Sequence, residues 1–100
     1  MCNNWFPHER KGAKHVKIVD RVTIGVELPG HGYTFLRYEL IAPGKGKGWG
    51  LCCTLDSTGE TAAAIDVTND QAEAKRLLRM MSEGTVTPVS FYDILYDLLP

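Results

Sequence analysis

From His15 to Leu28 the even positions read Val16, Ile18, Val22, Ile24, Val26 and Leu28, broken only by Asp20, while the odd ones are mostly polar. Alternation at a period of two marks a half-buried strand. Asp20 predicts a bulge or a break into two shorter strands, and Gly25 a second irregularity. Pro29 and Gly30 stand where a type II turn needs them, and a return strand runs from about Tyr33 to Ile41. On it Leu36, Tyr38 and Leu40 share one face, and Phe35, Arg37 and Glu39 the other. Beyond Pro43 and a Gly-Lys connection, a third strand from Trp49 to Leu55 turns Leu51, Cys53 and Leu55 inward. Asp56-Ser57-Thr58-Gly59 is a tight turn. It leads into a fourth strand, Glu60 to Val67, with Ala63, Ile65 and Val67 expected inward and Ala62 and Ala64 outward. Connections this short favour antiparallel neighbours, so the expected sheet is a meander in order 1-2-3-4.

After Thr68 the period changes. Ala74, Leu77, Leu78 and Met81 recur at the three-and-four spacing of one helical face, opposite Lys75, Arg76 and Arg79. Thr68 with Gln71 three residues later reads as a capping box, and Gly84 suits a left-handed cap at the other end. A second helix opens with Thr87 as cap and Pro88 at the first helical position, and Phe91, Ile94, Leu95 and Leu98 form its inward stripe. Neither helix is long enough to persist alone, so both stripes need a surface to cover. The fold class is therefore α+β: a four-stranded antiparallel meander with two C-terminal helices packed on one face. Residues 1–100 read as one domain, with an irregular arm over 1–14 for which Trp5 and Phe6 are candidate anchors, the meander over 15–67 and the helices over 68–99.

A composition 44% hydrophobic and 23% charged excludes the disordered and fibrous classes. No apolar run approaches a membrane span, and the stretch MCNNWFPHER lacks the apolar core of a signal peptide. Three cysteines cannot pair evenly and read as reduced thiols, so the expected address is cytoplasmic. The net charge of −1 hides a split: residues 1–50 sum to +4 and residues 51–100 to −5. That polarity either lets two surfaces of one fold complement each other or steers an anionic partner to the first half.

Candidate chemistry is sparse. The loop GKGKGWG over residues 44–50 offers backbone amides and two lysines to an anion, yet a Walker loop needs a hydroxyl after its lysine and then a helix, and here a glycine and a strand follow. Arg37, Lys45 and Lys47, with Tyr33 and Phe35 as a stacking platform bordered by Lys17 and Arg21, make up a single-stranded nucleic-acid reading. Cys2 becomes an N-terminal nucleophile if Met1 is removed, and Cys52 and Cys53 point to opposite faces of their strand; together they make up a thiol-enzyme reading. His8, His15 and His31 share no metal-ligand spacing, and neither metal nor cofactor is expected. The third reading belongs to the last helix. Tyr92, Tyr96 and Leu99 flank its core stripe with more apolar surface than one sheet contact uses, which suits a homodimer seam or a partner's groove. This last reading, an interaction or regulatory module without catalysis, is the expected function.

The run Val86-Thr87-Pro88-Val89, leading into Phe91-Tyr92-Asp93-Ile94-Leu95 and Asp97-Leu98-Leu99, resembles a family of small bacterial domains of unknown function. In that family a Ser/Thr-Pro step opens a final helix bearing a Tyr-Asp pair. The likeness covers roughly residues 33 to 99 and supplies no activity or catalytic residue.

Overall fold

A computed structural model describes residues 17–44 and 48–99. The arm expected over 1–14, with Cys2, Trp5, Phe6 and His8, and the loop lysines Lys45 and Lys47, lie outside the described residues. The elements are β1 (Ile18–Leu28), β2 (Gly32–Ile41), β3 (Trp49–Leu55), β4 (Thr61–Thr68), α1 (Gln71–Glu83) and α2 (Phe91–Leu98). The strands form one antiparallel sheet in the order β1-β2-β3-β4, as the short connections require. Helix α1 touches all four strands, while α2 packs on β4 and α1.

The type II turn forms as expected: the His31 amide donates to the Leu28 carbonyl at 3.0 Å, with Gly30 at φ 81°. The bulge expected at Asp20 is also present, since Ile18 pairs with Ile41 while Asp20 pairs with the adjacent Leu40. One extra residue moves Ile18 to the face away from the helices, where it joins Ile41, Cys52 and Ala63, while Val22, Ile24, Val26 and Leu28 pack toward the helices. Gly25 brings no irregularity. It pairs in register with Phe35, and a Cβ there would collide with the Tyr33 hydroxyl.

β4 corrects the expected faces. Residues directly opposite on neighbouring strands share a face, and Ala62 pairs with the core residue Cys53 while Ala63 pairs with Cys52. Ala62 and Ala64 therefore face the helices and Ala63 the other side. The register then shifts between Trp49 and Leu51 on β3, Asp66 takes φ 60°, and Val67 returns to the core while Ile65 is left 41% exposed.

Both helix starts also differ from expectation. Thr68 ends β4, and it is Asp70 that caps α1, its Oδ1 accepting from the Ala72 amide at 3.0 Å. Pro88 opens a turn in which the Ser90 hydroxyl engages Thr87, and α2 starts only at Phe91. At the C-terminus of α1 the Thr85 amide bonds the Ser82 carbonyl and the Val86 amide the Met81 carbonyl, the two bonds of a Schellman motif. The left-handed residue is Thr85 (φ 54°), with Gly84 at φ −85°. Val86 is thereby buried against the core.

The carbonyl of Val86 latches this linker to the sheet: the fully buried Tyr38 hydroxyl donates to it at 2.7 Å and the Cys53 thiol at 3.4 Å. Burial pushes the Cys53 thiol up to about 12 from 9.0, and raises the Tyr38 phenol well above its ordinary value. In the unfolded chain these groups ionise first, so their contribution is fully present below pH 9.0 and is lost as pH rises toward the folded values. Urea unfolding at a series of pH values should show stability falling by up to about 1.4 kcal/mol per pH unit for each group, above pH 9.0 for Cys53 and above pH 10.0 for Tyr38. A stability that stays flat through pH 11 contradicts the burial of Cys53 and Tyr38.

Candidate functional site

Helix α2 lies along β4, the last strand of the sheet among the described residues, and between them runs a groove of about 260 Å³. Ala64, Ile65 and Val67 line one wall, and Leu95, Tyr96 and Leu99 the other. The groove exists because α2 spends Phe91 and Leu95 on the core, leaving the residues beside that stripe to point outward. Tyr96 is 72% exposed and Tyr92 45%. Leu99 is half-buried against the core, and its amide donates to the Leu95 carbonyl, so it closes the helix as well as the groove.

Tyr92 does something the sequence did not suggest. Its hydroxyl donates to the Ala63 carbonyl at 2.9 Å and accepts from the Ala63 amide at 3.4 Å. Leu55 bonds Glu60 at the hairpin end, so the alternation of an antiparallel ladder sends the amide and carbonyl of Ala63, opposite Cys52, away from β3. The phenol thus satisfies both outward groups of one edge residue, while its ring meets Phe91 edge-on at 5.1 Å. β4 and α2 contribute Asp66, Asp93 and Asp97 and no lysine or arginine. The Asp66 carboxylate accepts from the Gly48 amide at 2.6 Å.

The three residues singled out on the last helix, Tyr92, Tyr96 and Leu99, are brought together, and the structure adds Ile65 and the β4 edge to them. Those were hidden because Ile65 was expected to point inward. On the other sheet face Tyr33 and Phe35 are exposed and meet edge to face at 5.6 Å and 80°, so they do not present parallel rings. Of the cations expected beside them, Arg21 is bound to Glu39 at 2.7 Å and Arg37 is half-buried and engaged, while Lys45 and Lys47 fall outside the described residues. Cys53 is a buried thiol whose raised pKa leaves no thiolate at neutral pH. Cys52, on the opposite face, is disulfide-bonded, which corrects the expectation of three reduced thiols. The alternation that separates these neighbours gives them different surroundings. A second cleft, about 290 Å³, opens at the hairpin end beside Leu28, Leu55 and Val89, with His31 and Glu60 exposed on its rim.

The geometry defines a small α+β domain, an antiparallel four-strand meander with two helices on one face. The chain belongs to the family of unknown function DUF6514, whose model matches residues 32–100. The match begins at β2 and takes in both walls of the groove. No curated protein and no solved structure matches the chain. No helix among the described residues is long and apolar enough to cross a membrane.

Proposed function

We propose that this protein is an interaction module that engages a protein partner through the groove between β4 and α2, without catalysis. The observation that carries the reading is the exposure of Tyr96, 72%, beside Ile65 and Tyr92 on one groove. Large amphipathic rings at the rim of an apolar groove supply contact area at modest entropic cost. Tyr96→Ala should leave the unfolding free energy within about 0.5 kcal/mol of wild type, as for an exposed side chain. It should weaken concentration-dependent dimerisation or the capture of a purified partner by about tenfold, the scale of a truncated interface tyrosine. Sedimentation showing a strict monomer, together with empty captures, would sink the reading.

The exposed Tyr33–Phe35 pair favours a second reading, a single-stranded nucleic-acid binder. Binding to an oligonucleotide that falls steeply with salt would support it, and no binding at low salt would end it.

A further inference from the structure

Independently of the groove, we infer that residues 1–16 lie as a strap across the sheet face opposite the helices, fastened by a disulfide between Cys2 and Cys52, and that reducing this bond uncovers an apolar patch at Ile41, Cys52 and Ala63. The first ground is a matter of partners. The chain holds three cysteines, Cys2, Cys52 and Cys53. Cys52 is disulfide-bonded while its neighbour Cys53 is a free thiol, so Cys2 is the partner left within the chain. The second ground is burial that the described residues do not explain. Glu39, Ile41, Cys52 and Ala63 point away from both helices, yet they are only 3%, 6%, 1% and 4% exposed. On the same face, nearer the β1–β2 turn, Tyr33 is 70% exposed and Phe35 45%. One half of the face is covered and the other open. A carboxylate on an uncovered sheet would stay in water, and Arg21 spans only the Oε2 oxygen of Glu39.

Chain length agrees with this cover. Ile18, the first residue of β1, packs with Ile41, Cys52 and Ala63, so the segment before it enters the sheet at the covered half. Ile18 and Cys52 stand two strands apart, about 10 Å at the usual strand spacing. The connection from Cys2 to Ile18 reaches roughly 50 Å when extended, which leaves ample length to run over the patch. Trp5 and Phe6 bring apolar area to it. Residues 45–47, by contrast, span about 10 Å between Gly44 and Gly48, too little to cross from Ile41 to Ala63. The redox step balances with a dithiol as reductant. One of its thiolates attacks a sulfur of the bond, its second thiol displaces the mixed disulfide, and it leaves as a disulfide, while Cys2 and Cys52 gain two electrons and two protons as thiols. Cys53 does not intercept the exchange. It faces the helices, donates to the Val86 carbonyl at 3.4 Å, and burial keeps it protonated.

The test equilibrates the full chain with oxidised and reduced glutathione, caps free thiols with iodoacetamide and reads a tryptic digest by mass spectrometry. Residues 1–10 and 48–75 should travel as one linked species from monomeric protein, which a small dithiol separates. Methyl NMR spectra with and without the dithiol then read the cover. The Ile41 and Ala63 methyls should shift on reduction, while those of Leu77 and Leu95 in the helix-side core stay in place. Cys2→Ser should give the reduced spectrum without any reductant, and its Cys52 should be alkylated about tenfold faster than Cys53, which the core still shields. A Cys2 left free or joined only to glutathione, or a linkage found only in a covalent dimer, overturns the strap. Ile41 and Ala63 methyls that ignore reduction, or equal alkylation of Cys52 and Cys53 in Cys2→Ser, overturn the uncovering.

Discussion

Phe91→Ala is expected to lower the unfolding free energy by about 3 to 5 kcal/mol, the cost of emptying a large aromatic site in a packed core. Phe91 is 0% exposed and is the first residue of α2, so it both fills the core and fixes where the helix begins. Its ring also supports Tyr92 edge-on at 5.1 Å, and through Tyr92 the link to the Ala63 backbone. A domain of this size holds only about 5 to 15 kcal/mol, so the variant sits near the limit of folding. Urea unfolding at low temperature measures it. The midpoint should drop while the dependence on denaturant stays the same, and Phe91→Leu should recover more than half of the loss. A change below 1 kcal/mol would mean that the ring is not packed between the helices and the sheet.

The parts of the fold legible in the sequence are those where side-chain size reports on side-chain direction. In β2 and β3 large residues alternate with polar or small ones, and Leu36, Tyr38, Leu40, Leu51, Cys53 and Leu55 all reach the helix-side core as their spacing says. In β4 three consecutive alanines carry no such signal, because a methyl group fits either face. The aliphatic residues that follow point to the opposite face, since an irregularity at Asp66 changes the phase between Ala64 and Val67. A carboxylate inside an otherwise apolar run was the available sign of that shift. The helix ends failed for a related reason. Thr68 and Asp70 are both good caps, and which one serves depends on how far β4 continues its pairing with Trp49.

The candidate site was half visible. Tyr92, Tyr96 and Leu99 stood out because α2 carries more apolar positions than a single contact stripe uses. Their common partner did not, because whether Ala63 directs its amide toward β3 or toward the edge depends on the hydrogen-bonding phase of the ladder. No residue type encodes that phase. It is set by the Asp56–Gly59 turn, through the Leu55 amide bonding the Glu60 carbonyl. The resemblance carried by residues 33 to 99 reaches the family for the same reason that it stops short of a function: it rests on the pattern that packs α2, and the family it matches is itself of unknown function.

Leu95→Ala should cost about 2 to 5 kcal/mol, and its comparison with Tyr96→Ala separates the two jobs of one helix. Leu95 is 3% exposed and belongs to the core, whereas its neighbour Tyr96 is 72% exposed, yet both line the groove. An eight-residue helix has no stability of its own, so the free energy that keeps α2 formed comes from Phe91 and Leu95 against β4 and α1. Truncating Leu95 should therefore lower the unfolding midpoint and widen the groove together, while truncating Tyr96 should change partner binding alone. If Leu95→Ala loses well under 1 kcal/mol, the stripe does not face the sheet. The outward placing of Tyr92 and Tyr96, on which the groove depends, would then fall with it.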